Sequence, residues 1–168
     1  VRNKETGKLE LSKAAKKYHP GRGVYRSAYK NAMRLIRNEV NIAYREAEWL
    51  SYQTNPLIKG FEIRLSNNHT TLINGKPTPF IDICDELQGK YPKTFKWNCW
   101  HVQCRCIMIP ILLTPKEFGE YTKARRQGKE YKSEITDVPE KFNEYVNENK
   151  ERFGNLKSKP TWYEENIN

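Results

Sequence analysis

Four cysteines and one of the three histidines fall between residues 84 and 106: Cys84, Cys99, His101, Cys104 and Cys106. The rest of the chain contains no cysteine. Thiolates and an imidazole gathered in one short stretch suit a tetrahedral zinc ion. Cys104 and Cys106 stand two apart and share a face where the chain is extended. His101 stands three before Cys104, a spacing that a tight turn closes, and Cys84 from the preceding turn completes the set. The predicted ligands are therefore Cys84, His101, Cys104 and Cys106, with Cys99 surplus. The spacing is not that of a paired C-x-x-C knuckle. Three readings stand: a structural zinc site, two disulfides in an oxidising compartment, or buried free thiols in a reducing one. Acid–base chemistry would instead need His101 or His69 beside Glu39 or Asp85. The sequence has no glycine-rich phosphate cradle, no serine nucleophile elbow and no His-Glu-x-x-His pair.

The elements that must position these residues differ in clarity. Over residues 25–53, Ala28, Ala32, Leu35, Ile36, Ala43, Ala47 and Leu50 recur at three- and four-residue steps. Tyr29, Met33, Val40 and Tyr44 widen that stripe. Arg26, Lys30, Arg34, Arg37, Glu39, Arg45 and Glu48 fill the other face. The pattern predicts a long amphipathic helix packed through its apolar stripe, capped by Ser27 and ended by Asn55-Pro56. Residues 60–66 alternate apolar and polar, as a half-buried strand does. Asn74-Gly75 is a turn dipeptide, and Pro77, Pro79 and Pro92 predict mostly loop up to Lys93. A short helical turn over 85–88 is stopped by Gly89, and residues 106–113 are β-like. Thr114 and Pro115 start a helix. Residues 119–137 are highly charged and are predicted to be partly disordered. A further amphipathic helix over 139–153 carries Phe142, Tyr145, Val146, Asn149 and Phe153 and ends at Gly154. The expected class is α+β: a long amphipathic helix on a small, mostly antiparallel sheet, a Cys/His-pinned loop and a helical C-terminal tail.

Charge is distributed unevenly. The 168 residues carry 30 Lys plus Arg and 20 Asp plus Glu, a formal net charge of +10. The first 50 residues hold 12 basic and 5 acidic groups, residues 51–110 hold 7 and 4, and the remainder holds 11 of each. A basic half of this kind attracts phosphate polyanions, less so at high salt. Lys13, Lys16, Lys17, Arg22, Arg26 and Lys30 are the candidate contacts to nucleic acid. Tyr18, Tyr25, Tyr29, Trp49, Tyr52, Trp97 and Trp100 interleave with basic groups, as base-stacking platforms do, although aromatic residues at helical spacing are more often core. No apolar run approaches the roughly 20 residues of a membrane span; the longest, residues 107–113, contains Pro110. The opening is polar, with no apolar signal core, and the first residue is Val1, as in a fragment or processed piece.

Three stretches together carry a resemblance. Leu35-Ile36-Arg37-Asn38-Glu39-Val40-Asn41, with Arg34, resembles the Arg-x-x-Arg-x-Glu helix of the phage head morphogenesis family, the phage Mu protein F-like minor head proteins. Asp82 to Pro92 resembles that family's Asp-x-x-Cys-x-x-Leu-x-Gly loop, and Trp100-His101-Val102-Gln103-Cys104-Arg105-Cys106 its His-Pro-x-Cys-Arg-Cys hallmark. Tyr18-His19-Pro20-Gly21 and Gly23-Val24-Tyr25-Arg26-Ser27 are similar to versions from phages or prophages of Bacteroides-like gut bacteria. The resemblance covers about residues 22–113. It implies organising roles for Arg34, Arg37, Glu39, Asp82, Asp85 and Arg105, with Arg37 and Glu39 in internal buried pairs. It also implies a basic arm over 1–23 that ends a missing N-terminal part, a minor head domain over 24–113 and a charged helical tail over 114–168. The implied function is non-catalytic: capsid assembly, portal association, or DNA packaging and delivery. Phage portal or capsid proteins are the implied partners, and DNA a further one. The implied location is the virion, assembled in the bacterial cytoplasm, with no membrane and no small-molecule substrate. Two other classes compete. One is an enzyme, such as a nuclease or ADP-ribosyltransferase-like toxin domain; the other is a sequence-tolerant nucleic-acid binding module.

Overall fold

The computed structural model describes residues 6–7 and 28–167, and the candidate contacts Lys13, Lys16, Lys17, Arg22 and Arg26 lie outside them, as do Tyr18 and Tyr25. The chain divides into two compact units, residues 1–37 and 38–168. Helices and a small antiparallel sheet make it α+β. No helix among the described residues is long and apolar enough to cross a membrane.

The first unit contributes the opening turns of helix α1 (Ala28–Thr54). Lys30, Leu35, Ile36 and Arg37 are exposed there, and Arg34 is half-buried.

The second unit holds the core. Strand β1 (Ile58–Arg64) is central in a three-stranded sheet, flanked by β4 (Gly89–Pro92) and β5 (Ile107–Leu112), both antiparallel to it. Phe61 pairs with Tyr91 on one side and Pro110 on the other; Ile63 pairs with Gly89 and Met108. Phe61 and Ile63 are fully buried. A separate hairpin, β2 (Thr70–Ile73) and β3 (Lys76–Pro79), closes on Asn74-Gly75, both at positive φ (52° and 78°). That backbone matches the twist of a two-residue hairpin turn. Residues 70–92 were expected to be mostly loop, yet three short strands form there. The prolines are tolerated because Pro77 and Pro79 sit in a two-stranded ribbon and Pro92 ends its strand.

Helix α2 (Ile83–Glu86) carries Cys84 in its first turn. Helices α3 (Pro115–Arg126), α4 (Glu140–Glu148), α5 (Lys150–Gly154) and α6 (Thr161–Asn166) follow the sheet. Two expectations are corrected here. Residues 119–126 belong to α3, and the segment after it is held in place: Ile135 N–H donates to Lys59 O at 2.9 Å and Ser133 Oγ donates to Glu117 at 2.6 Å. The helix expected over 139–153 is two helices that meet at Asn149. Tyr52, Trp97 and Trp100 are buried, in line with the core reading of these aromatics, and offer no stacking face to a base.

The largest correction concerns α1. Its apolar stripe was expected to pack on the sheet, but Val40 is 62% exposed, and Ala43, Tyr44, Ala47 and Leu50 are exposed with it. The helix turns its other side inward: Arg45 and Tyr52 are buried, and Asn38, Ile42 and Trp49 half-buried. These five are spaced four, three, four and three apart, a second stripe almost opposite the first.

Tyr91, Phe95, Trp97 and Trp100 form an aromatic core, and the C-terminal helices complete it. Phe142 meets Phe95 edge-on at 5.1 Å, and Trp162 meets Trp100 at 5.3 Å. Trp162 Nε1–H also donates to Trp100 O at 3.1 Å.

Candidate metal centre

The site is assembled from two loops and one face of α1. Asp82 caps α2: its Oδ1 accepts from Cys84 N–H at 2.8 Å, while Asp85 Oδ2 accepts from Asp82 N–H at 2.9 Å. This reciprocal pair satisfies two helix-end donors and fixes where Cys84 projects. In the second loop Cys104 N–H donates to His101 O at 3.1 Å. Gln103 closes that turn at φ 63° and donates its N–H to Asn38 Oδ1 at 3.0 Å. Cys106 directly precedes β5.

Three thiols converge. Sγ of Cys84, Cys104 and Cys106 all lie within 4.8 Å of one another, and Cys84 and Cys104 are 3.7 Å apart. Zinc–sulfur bonds of about 2.3 Å give a tetrahedral sulfur–sulfur edge of about 3.8 Å, so that separation fits a shared ion. All three residues are buried. All four cysteines are free thiols, and Cys99, half-buried, stands outside the trio.

His101 stands beside Cys84, and its ring nitrogen groups with Asp82 and Cys84 rather than with all three thiols. Its Nδ1 lies 2.9 Å from Val102 O, where only an N–H makes a hydrogen bond, which leaves Nε2 as the nitrogen that a metal would take. Nε2 points at Cys84 Sγ, 3.0 Å away, with Asp82 Oδ2 at 3.2 Å. Nitrogen, sulfur and carboxylate oxygen crowding one point make a place for a cation. The cluster of Cys84, Cys104, Cys106 and His101 could hold a metal ion.

Without a metal the trio shares its protons unequally. Hydrogen bonds from the Cys106 and Cys84 thiols, with a backbone N–H from Trp100 and the charge of Arg45, hold the Cys104 thiol far below its usual range. The bond to Cys104 conversely raises Cys84, and pushes Cys106 up to about 12. Burial pushes Cys99 up to about 11. The pattern is one thiolate receiving two S–H donors.

Arg45 is the residue that sequence reasoning missed. It was assigned to the solvent face of the helix and is 7% exposed. Its guanidinium donates to Asn98 O at 2.8 Å, Cys104 O at 2.8 Å and Cys106 O at 2.7 Å, and lies over the Trp97 ring at 4.8 Å. The carbonyls that flank two of the thiols are thus tied to the long helix. A planar, permanently charged fork suits this task and a lysine would not. The signal available was its seven-residue spacing from Asn38 and Tyr52.

The other predicted residues are placed as follows. Asp82 and Asp85 adjoin the thiols through the cap. Arg105 projects away from them and donates to Asn68 O at 2.9 Å. Arg37 and Glu39 are exposed, and Glu39 Oε1 accepts from Asn38 Nδ2 at 3.3 Å, so the expected buried pair is replaced by a solvent-facing position on α1. His69 lies near the centre: Nε2 is 3.2 Å from Asp85 Oδ2 and 3.4 Å from Asp82 Oδ1, with the ring against Phe80.

No family model matches the chain, and neither a curated protein nor a solved structure matches it.

Proposed function

We propose that this chain is a minor head component of a phage or prophage particle, assembled in the bacterial cytoplasm and retained in the virion, whose metal centre is structural and whose work is association with portal or capsid proteins close to DNA. The observation that supports the reading is where its motif stretches meet. Asn38 of the helix stretch bonds the Gln103 backbone of the His-x-x-Cys-Arg-Cys stretch, and Cys84 of the Asp-x-x-Cys stretch lies against His101 and Cys104. Three separate segments that carry the resemblance converge on one cluster. Three buried thiols with the imidazole beside Cys84 supply four donors, the composition of structural zinc rather than of a catalytic ion with an open position. Sulfur donors favour zinc over magnesium or calcium. The exposed apolar stripe of α1 is the surface for the portal or capsid protein.

Two measurements test this. Metal analysis of protein purified without chelator is expected to find zinc at the thiolate set; metal-free protein with all four thiols titratable would remove the metal reading. Co-expression with the portal protein of the same phage is expected to give a complex that Val40→Asp with Leu50→Asp abolishes. Absence of any complex with folded, metal-loaded chain, together with turnover of plasmid DNA, RNA or NAD, would favour the enzyme class instead.

A further inference from the structure

Next to the thiolates lies a second cluster of different chemistry: His69, Asp82 and Asp85. His69 Nε2 is buried and makes no hydrogen bond, and the side chain is 9% exposed. That nitrogen is aimed between two carboxylate oxygens, at 3.2 Å and 3.4 Å. A buried ring nitrogen without a hydrogen bond, set against two carboxylate oxygens, is an arrangement that a bound cation satisfies. Metal–nitrogen and metal–oxygen bonds of about 2.0–2.1 Å give a tetrahedral edge of about 3.3 Å, which is the spacing found. The helix cap does not exhaust these oxygens. Asp82 Oδ1 accepts one bond from Cys84 N–H and Asp85 Oδ2 one from Asp82 N–H, leaving each a further lone pair. Among the described residues, the ion-pair partners of Asp82 and Asp85 are the two imidazoles, with no lysine or arginine.

We propose that His69, Asp82 and Asp85 form a second divalent transition-metal site, joined to the thiolate site through Asp82. One carboxylate serves both: Oδ1 faces His69 and Oδ2 faces His101. Imidazole with two carboxylates selects a borderline ion such as Zn²⁺ over Mg²⁺. Three protein donors leave at least one coordination position. His69 and His101 both line a cleft of about 480 Å³ with Asn68, Phe80, Gln103 and Arg105. The site adjoins the proposed structural zinc but takes none of its sulfur donors, so either can fail without the other.

Titrating the reduced, metal-free full chain with Co²⁺ tests this. Two ions per chain are expected. One gives the intense near-ultraviolet absorption of thiolate-to-cobalt charge transfer, and the other adds none. His69→Ala and Asp85→Asn are each expected to weaken the second ion more than 10-fold, with the charge-transfer band and circular dichroism unchanged. Asparagine keeps the acceptor oxygen that the helix cap needs. A single ion per chain at saturation, or two ions bound equally well by wild type and both variants, overturns the proposal. Loss of the charge-transfer band with a second ion still bound by His69 would instead overturn the thiolate site alone.

Discussion

A single guanidinium, that of Arg45, holds three carbonyls of the loop that presents the thiols. Charge-assisted hydrogen bonds of this kind are worth about 1.5–3 kcal/mol each, and a buried acceptor that loses its donor keeps its desolvation cost. Arg45→Met is therefore expected to lower unfolding free energy by about 3 kcal/mol or more and to weaken metal binding, read by urea denaturation and a chelator competition. Arg45→Lys is expected to recover only part of the loss, because an ammonium cannot fork to Asn98, Cys104 and Cys106 together. The cysteines and His101 were legible in the sequence because their types are rare and their spacing is tight. Arg45 was not, since it is an ordinary residue made special by partners more than fifty residues away in the chain; His69 was named beside Asp85 only for acid–base chemistry.

At the scale of elements, helix α1 has two stripes, and the less apolar one faces the core. The outer stripe, Val40, Ala43, Ala47 and Leu50, runs in alternating steps of three and four, the spacing of a helix–helix seam. Val40→Asp is accordingly expected to change the stability of the free chain by no more than about 0.5 kcal/mol, as an exposed position does, while Phe61→Ala, in the buried strand, is expected to cost about 3–5 kcal/mol; thermal or denaturant melts of the two separate these cases. Helix α3 is anchored differently. Glu117 accepts from Lys59 Nζ at 2.7 Å, from Ser133, and from the Thr114 backbone and hydroxyl, which together hold its carboxyl well below the usual carboxylate range. A carboxyl depressed in the folded state contributes stability above its unfolded pKa and loses it as pH falls through the folded value. The stability gap between wild type and Glu117→Gln is thus expected to be constant above about pH 5 and to shrink steadily below about pH 4, measured by melts across that range.

For the molecule as a whole, residues 38–168 share one core. The neutral C-terminal third, set apart on charge, supplies Phe142, Val146, Phe153 and Trp162 to it. Trp162 is 1% exposed and packs on Trp100, Phe142 and Phe153. Trp162→Ala is expected to cost about 3–5 kcal/mol and to lower the melting midpoint of the sheet and the C-terminal helices together, seen as one transition by tryptophan fluorescence and circular dichroism. Two separate transitions would mean that the tail folds on its own.

The sequence alone determined the α+β class, the long helix, the central strand, the cap at Thr114 and the gathering of the thiols, because each is written in local spacing or in residue types with few alternative uses. Only the tertiary structure decided which face of α1 is buried, that the tail belongs to the core, and that two imidazoles share one carboxylate. Periodicity reports that a helix has an apolar side but not what lies across from it. Here the neighbour is a loop of backbone carbonyls around three thiols, and such a surface is met better by a guanidinium than by leucine.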